Sequence, residues 1–263
     1  MALRVLVTRP QPQADAWVER LRAAGLDAQA LPLIDVAAPK DARQVQDAWA
    51  ALPRDAMALF VSPNAVAHFF AVRPAAEGWP SQVLAACTGP GTAAALRANG
   101  VPAAQVLEPP ADAPQFDSEA LWHACLAPRD WRGHSVLIVR GDGGRNWLAD
   151  TLKAQGAAVR FVQAYARALP VLDAVASRLL AEALARPREH LWLFSSSQAI
   201  EHLSRLAPAA TDWSQARALA THPRIAASAH AQGMREVHEA LPTEAGVIAA
   251  ISTIAAHIES TRP

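Results

Sequence analysis

The sequence predicts an α/β protein built from two copies of one parallel-sheet unit. Short apolar runs alternate along the chain with stretches of helical periodicity, which is typical of parallel sheets covered by helices on both faces. Similar segments also recur at a nearly constant offset, which indicates an internal repeat. A chain of 263 residues, of which 52% are hydrophobic, is long enough for two such units with a core in each.

The predicted elements follow one another in order. Arg4–Thr8 reads as a buried strand, and Asp15–Ala24 has apolar residues at helical spacing until Gly25 ends the helix. An extended pattern resumes at 27–34. Further strands are predicted at 56–61, 83–87, 105–107, 135–139, 159–162, 191–194 and 218–221, with helices in most of the gaps.

The repeat rests on segments that match in the same order in both halves. The matching pairs are Val5–Arg9 with Val136–Arg140, Phe60–Val66 with Phe194–Ile200 at an offset of 134, and Thr88–Pro90 with Thr221–Pro223 at an offset of 133. Each match alone is weak. The shared order and offset predict two copies of one α/β unit.

Two segments, 36–41 and 166–170, follow apolar strands at matching positions of the repeat and resemble connectors. They allow two layouts. In one, sequential halves are divided near residue 130. In the other, residues 42–162 form one domain and the two ends of the chain join to form the second. The patterning is compatible with both.

Composition and motifs exclude several classes of protein. The 24 basic and 24 acidic residues give zero net charge, which argues against a dedicated nucleic-acid or membrane binder. No run of about 18 apolar residues predicts a membrane-spanning helix. Two cysteines, Cys87 and Cys125, and no signal-peptide layout predict a reduced, cytoplasmic protein. A P-loop, a metal-binding H-E-x-x-H helix and a nucleophile elbow are all missing, and no metal site is expected.

The polar features lie in turns between predicted strands and helices. At the carboxyl ends of parallel strands, amide, hydroxyl and guanidinium groups would suit a polycarboxylate ligand. The alternative is that each residue only caps its helix. The turns are Ser62–Asn64, Cys87–Ala94, Arg140–Arg145 and Ser195–Gln198.

Three features, namely the Gly89 turn, Tyr165 and His222, have competing interpretations. The Gly89 turn formally matches G-x-G-x-x-A, with Glu108 downstream, so it could bind a dinucleotide, bind an anion or form a tight turn. Tyr165, the one tyrosine of the chain, is a candidate general acid or an amphipathic residue at a domain boundary. His222 is expected in a turn or facing solvent, and the alternative is that it faces the ligand-binding cleft. The cysteines and tryptophans, Trp147 included, are expected to pack.

An ordered set of segments resembles the uroporphyrinogen-III synthase family. The segments are Val5–Pro10, Leu31–Ile34, Phe60–Val66, Thr88–Ala93, Val139–Gly141 with Arg145, Tyr165, Leu193–Ser197 and Thr221–Ile225. The resemblance covers nearly the whole chain. No single motif is diagnostic, and the order of the set supports the assignment.

The resemblance implies the discontinuous layout: residues 1–36 with 170–263 as one α/β domain, 42–163 as the other, and 37–41 and 164–169 as connectors. It implies a cofactor-free lyase that closes the octacarboxylate hydroxymethylbilane to uroporphyrinogen III in heme biosynthesis, with inversion of ring D. The family also implies a cytoplasmic monomer, with transient contact with the preceding enzyme of the pathway as an option, and an active site in a cleft between the domains.

Residue roles are carried over by position. Tyr165 is expected to assist loss of the terminal hydroxyl group. Expected substrate-binding residues are Arg9, Ser62, Thr88, Thr92, Arg140, Ser196, Thr221 and Arg224. One departure is 222–225, where His-Pro-Arg-Ile stands in place of the Gly-Pro-Thr-Thr of many relatives, so that Arg224 replaces hydroxyl contacts. The competing hypothesis is a non-catalytic two-domain clamp for an anionic metabolite.

Overall fold

A computed structural model describes residues 3–39, 41–75 and 77–260. The chain divides into two compact units: unit 1 comprises residues 1–35 and 168–263, and unit 2 comprises residues 36–167. Lys40 of the predicted connector, together with residues 1–2 and 261–263 of the predicted first domain, lies outside the described residues.

Strands and helices alternate along the whole chain. The strands are β1 (Arg4–Val7), β2 (Asp27–Ala30), β3 (Asp35–Ala37), β4 (Met57–Phe60), β5 (Leu84–Cys87), β6 (Val106–Leu107), β7 (Ser135–Arg140), β8 (Ala158–Gln163), β9 (Ala166–Ala168), β10 (His190–Phe194), β11 (Arg217–Ala220) and β12 (Glu236–Glu239). The helices are α1 (Gln13–Ala23), α2 (Ala42–Ala51), α3 (Pro63–Phe70), α4 (Pro90–Ala98), α5 (Ser118–Leu121), α6 (Trp147–Ala154), α7 (Ala174–Ala185), α8 (Ser197–Leu206), α9 (Pro223–Ala231) and α10 (Glu244–Ser260). A π-helical turn, Trp122–Leu126, continues α5.

Each unit contains one five-stranded parallel sheet. The strand order is β12-β11-β10-β1-β2 in unit 1 and β6-β5-β4-β7-β8 in unit 2. All the pairings described within the two sheets are parallel. The two orders correspond strand for strand when β1 is matched with β7 and β10 with β4. The predicted fold class, two similar α/β units with parallel sheets flanked by helices, is confirmed.

The connecting segments contain short strands of their own. β3 and β9 pair with each other in a separate two-stranded sheet. The sequence predicted these stretches only as connectors, because three-residue strands with exposed or half-exposed side chains leave no apolar pattern.

The central strands are buried because helices cover both faces of each sheet. All four residues of β4 and all five of β10 are buried. Along β4, Ala58 and Phe60 belong to one apolar cluster, while Met57 and Leu59 belong to another. Successive side chains of a strand point to opposite faces, so unit 2 has one core layer on each side of its sheet.

Some sequence predictions were wrong in detail. Within the extended stretch 27–34 the strand β2 covers only Asp27–Ala30, although the N–H groups of Leu31 and Leu33 still donate to the carbonyls of Val7 and Thr8. β12 was missed because an edge strand with Glu at both ends lacks an apolar run. Trp147 is 37% exposed at the start of α6, and Cys125 is only partly buried at the rim of its cluster.

Candidate active site

The strand ends of unit 2 hold five of the predicted site residues. Each lies at or just beyond the carboxyl end of its strand, or in the first turn of the helix that follows. Because the strands are parallel, these ends belong to one edge of the sheet. The residues are Ser62 after β4, Thr88 and Thr92 after β5, Arg140 at the end of β7 and Tyr165 after β8.

Ser62 connects the turn after β4 to Tyr165. Its Oγ accepts a hydrogen bond from the backbone N–H of Ala65 at 3.1 Å and so caps the N-terminus of α3. The same Oγ lies 3.0 Å from Oη of Tyr165, and either hydroxyl can be the donor. The two residues are 103 positions apart in the sequence, and the fold brings them into direct contact.

The Tyr165 ring is held on two sides. It is 4% exposed and belongs to the apolar cluster that includes Phe60 and Trp49. The His68 ring of α3 stacks against it, with centroids 5.9 Å apart and planes inclined by 22°. Against the backbone of Gly141 the fit is so close that a Cβ atom there would lie 2.7 Å from both Cε2 and Cζ of the tyrosine. Tyr165 therefore has one well-defined position in this unit.

His68 adds a neutral group beside the phenol. Burial lowers its pKa below the ordinary value of 6.5. At neutral pH the ring that stacks on Tyr165 consequently carries no charge. A hydroxyl pair beside a neutral imidazole can donate and relay a proton without a fixed charge next to it.

The turn after β5 leads into α4 without a side-chain cap. Gly89 occupies the N-cap position of α4 with extended backbone and no side-chain cap, and Pro90 is the first helical residue. A Cβ atom at Gly89 would meet its nearest neighbour at 3.7 Å, and one at Gly91 at 3.8 Å, both ordinary contacts. Thr92 is buried at 5% exposure, whereas Thr88 is half-buried in the turn itself.

Arg140 is already engaged within unit 2. Its guanidinium lies 4.0 Å from the centroid of the Phe161 ring, and its Nη1 donates to Oδ1 of Asn146 at 2.8 Å. The loop beyond it is also fixed, since Oδ1 of Asp142 accepts from the backbone N–H of Arg167 at 3.0 Å. These contacts hold the loop after β7, and the role of Arg140 in substrate binding stays a prediction.

The strand ends of unit 1 hold the other four predicted residues: Arg9 after β1, Ser196 after β10, and Thr221 and Arg224 after β11. Oγ of Ser196 accepts from the N–H of Gln198 at 3.3 Å and caps α8. The N–H of Thr221 donates to the carbonyl of Phe194 at 3.1 Å.

His222 caps α9, as its expected turn role requires. Its Nδ1 accepts from the backbone N–H of Arg224 at 3.0 Å. The backbone of Arg224 is thereby committed to the cap, while the residue itself is exposed in the first turn of α9.

Arg9 differs from the other cations at the strand ends. The residue is half-buried, and its Nε, which is inaccessible to solvent, has no hydrogen-bond partner in the described structure. The guanidinium lies 4.9 Å from the centroid of the Trp17 ring. Burial, together with repulsion from Arg20, lowers the pKa of Arg9 to about 10.

The described residues were also compared with the side-chain groupings that bind metal ions. Within 3–39, 41–75 and 77–260, no three His, Cys, Asp or Glu side chains are grouped so that they could hold a metal ion. In the same residues, no helix has the length and apolarity needed to span a membrane.

Comparison with known proteins decides the family. A family model described as "Uroporphyrinogen-III synthase HemD" matches residues 15–249, which is most of the chain. The chain belongs to the uroporphyrinogen-III synthase family. The resemblance inferred from the ordered segments of the sequence is confirmed.

Curated members of the uroporphyrinogen-III synthase family align with much of this chain. The protein of that name from Salmonella typhimurium is 34% identical over 167 residues, and the one from Escherichia coli is 33% identical over 168 residues. These alignments cover 63% of this chain and 65% of each relative, just under two thirds of their length. The synthase from Synechococcus elongatus is 30% identical over 219 residues, covering 80% of this chain and 77% of that protein.

Solved structures of uroporphyrinogen-III synthases share the fold. A mutant of the enzyme from Thermus thermophilus superposes with a TM-score of 0.60 at 19% identity, and the synthetase from Helicobacter pylori with 0.57 at 16% identity. In both cases 98% of this chain and 100% of the other chain are covered.

Family resemblance predicted the strand-end residues but missed the groups that position Tyr165. His68 was not named, and Gly141 was named only as a member of a turn segment, without its contact with Tyr165. Gln198 of unit 1 was likewise named only within a turn, and its Oε1 is buried without a hydrogen-bond partner in the described structure. His68 lies on the same helix that Ser62 caps, which was the one available signal. The Gly141 contact depends on how β7 and β8 pair, which no local pattern reveals.

Proposed function

We propose that this chain is a uroporphyrinogen-III synthase, a cyclising lyase that converts hydroxymethylbilane to uroporphyrinogen III. Membership of the family supports the reaction. The observation that carries its chemistry here is the contact between the hydroxyls of Ser62 and Tyr165 at the strand ends of unit 2.

The first step needs a proton donor. Loss of the terminal hydroxyl of the bilane as water requires one proton on the leaving oxygen and leaves an electrophilic azafulvenium cation, which becomes the neutral azafulvene when its pyrrole N–H gives up a proton. When Ser62 donates its hydroxyl hydrogen to Oη of Tyr165, the phenol O–H is free to donate to the leaving oxygen, and developing charge on Oη is stabilised. The N–H of Ala65 keeps the Ser62 oxygen in place through this exchange.

The second step needs positioning more than acid or base. The azafulvene carbon must be attacked by the substituted carbon of ring D, through a spiro intermediate, so that ring D is inverted. Without control the chain closes head to tail and gives the type I isomer. A fixed substrate geometry lowers the barrier to one route relative to the other. Neither step transfers electrons, and the proposed chemistry therefore needs no redox cofactor.

The substrate's eight carboxylates fit the groups at the strand ends. Helix N-termini present backbone N–H groups and a partial positive charge to anions. In unit 2 such termini follow β4 and β5, and in unit 1 they follow β10 and β11. Thr88, Thr92, Ser196, Thr221 and Arg224 are proposed to bind carboxylates at these ends.

The test uses freshly generated hydroxymethylbilane, with the isomers separated by chromatography after oxidation to porphyrins. Protein-dependent formation of the type III isomer is expected. Tyr165→Phe retains the ring and its contacts and should lower kcat about 100-fold, near the lower end for general acid catalysis because an electron-rich hydroxymethylpyrrole ionises readily.

A matched control is Thr253→Val, which removes one exposed hydroxyl hydrogen bond to Ala249 in α10 and should leave kcat unchanged. Only type I product with folded wild-type protein would reject the synthase activity. Full activity of Tyr165→Phe would keep the activity and remove Tyr165 from the chemistry. Tight ligand binding without turnover would favour the non-catalytic clamp.

A further inference from the structure

Arg9 is a cation without a counterion. It follows β1, the strand that lies between β10 and β2 in unit 1. In the described structure its guanidinium donates no hydrogen bond and has no carboxylate within ion-pair distance. Arginines at the amino ends of strands in the same unit are paired: Arg4 of β1 with Asp27 at 2.9 Å and Arg217 of β11 with Glu236 at 2.7 Å.

This arrangement costs stability in the free protein. Withdrawing a guanidinium from water without supplying hydrogen-bond acceptors is unfavourable, and the Trp17 ring offsets only part of that cost. The second guanidinium near that ring, Arg20 at 5.8 Å, repels Arg9 and adds to the cost. An apolar side chain of similar length would fill the space without this penalty.

A second unsatisfied polar atom lies at the same edge of the sheet. β1 and β10 are parallel neighbours with Val7 opposite Leu193, so the residues that follow both strands share this edge. Gln198, in the first turn of α8 after β10, has its buried Oε1 without a hydrogen-bond partner in the described structure. The donor Nε of Arg9 and the acceptor Oε1 of Gln198 therefore both lack a hydrogen-bond partner in the described structure, and they follow two adjacent strands.

We propose that Arg9 is the carboxylate anchor of unit 1, binding one side-chain carboxylate of the ligand through its guanidinium fork. Gln198 accepts a hydrogen bond from an N–H or O–H donor of the same ligand. The identity of the ligand rests on the proposed function, since a linear tetrapyrrole carries both carboxylates and pyrrole N–H groups. The chemistry of the anchor rests on the unpaired guanidinium alone.

The test compares three variants with the wild type. Arg9→Met removes the charge and retains the volume, Arg9→Lys retains the charge without the fork, and Arg178→Met removes an exposed cation of the same unit whose Nε bonds only within α7. The probes are uroporphyrin III and benzenehexacarboxylate, titrated by tryptophan fluorescence, together with kcat and KM for hydroxymethylbilane.

Arg9→Met should raise Kd and KM about 10- to 100-fold, the loss expected for a charge-assisted hydrogen-bonded pair, with kcat changed less than about threefold. Arg9→Lys should lie in between, and Arg178→Met should stay within about twofold of the wild type. Without ligand, Arg9→Met should melt at or above the wild-type Tm. A merely structural arginine would show the opposite change in Tm.

Unchanged Kd and KM in Arg9→Met, or a lower Tm with unchanged binding, would overturn the anchor. The two proposals fail separately. If benzenehexacarboxylate binding depends on Arg9 while no type III isomer forms, the anchor stands and the synthase activity falls. If type III product forms and Arg9→Met leaves KM unchanged, the activity stands and the anchor falls.

Discussion

The strand ends of the two units share one framework, but their matching arginines differ in their hydrogen bonding. Arg140 ends β7 and Arg9 follows the corresponding strand β1, at matching positions of the repeat. Arg140 is bonded to Asn146 and stacked on Phe161, whereas Arg9 has only an aromatic ring beneath it. The arginine of unit 2 thus has its polar contacts within the protein, whereas Nε of the matching arginine in unit 1 is buried without a hydrogen-bond partner in the described structure.

The same contrast holds for the serines. Ser62 and Ser196 both cap the helix that follows a central strand. Ser62 also meets the Tyr165 hydroxyl, while the described hydrogen bond of the Ser196 side chain is its cap. The two units therefore share sheet order and helix capping by serine, while the described contacts of the capping serines differ: a tyrosine hydroxyl in addition to the cap in unit 2, and the cap alone in unit 1.

Gly141→Ala is expected to have the largest effect, because it displaces the Tyr165 ring of unit 2. The new Cβ would lie 2.7 Å from two ring atoms of Tyr165, so the ring must move and its hydroxyl must leave Ser62. We expect kcat to fall at least 10-fold and the free energy of unfolding to fall by about 2 kcal/mol, as for other overpacked cores. Gly78→Ala is the control, because a Cβ there meets nothing within 4 Å. Wild-type kcat in Gly141→Ala would show that the position of Tyr165 is unimportant.

A matched pair of serine variants measures the contrast directly. Ser62→Ala and Ser196→Ala each remove one helix cap and should each lower the free energy of unfolding by about 1 kcal/mol in denaturant titrations. Only Ser62→Ala should also lower kcat, by about 10-fold, because it removes the partner of Tyr165. Equal changes in kcat for the two variants would mean that both serines act as caps and nothing more.

The smallest effect concerns His68 and pH. Since burial lowers the pKa of His68, the unfolded chain takes up a proton below about pH 6.5 before the folded protein does. This residue therefore contributes stability that is complete above pH 6.5 and is lost as the pH falls towards the folded pKa. Unfolding titrations of the wild type and His68→Gln at pH 8, 6 and 5 should differ less at pH 5. A constant difference across that range would exclude a lowered pKa, and partial exposure of the ring keeps the change small.

The sequence predicted the parts of this fold that depend on local pattern. Continuous apolar runs located β4 and β10 because those strands are buried on both faces. The internal repeat predicted two similar units for the same reason, since equivalent strands have equivalent burial. β12 was not predicted because it is a partly solvated edge strand, and its Glu residues interrupt any apolar pattern.

The candidate site was predictable by position and not by contact. Strand-end serines and threonines stand where parallel sheets bind ligands, so the ordered segments were enough to name Ser62. The approach of Gly141 to Tyr165 depends on tertiary packing between segments that are distant from any motif. The unpaired state of Arg9 is likewise invisible in sequence, because it depends on which carboxylates fail to come near.

Unit 1 is formed from two separate segments of the chain, and this affects the order in which the two units can fold during synthesis. Unit 2 has all its strands once residue 167 has left the ribosome, and it can fold as a continuous piece. β1 and β2 are made before unit 2 and pair with each other, but the other neighbour of β1 is β10, which is translated more than 180 residues later. This segment is thus made well before the sheet of unit 1 can be completed. During translation its apolar strand has to be kept from other partners while the inserted unit folds.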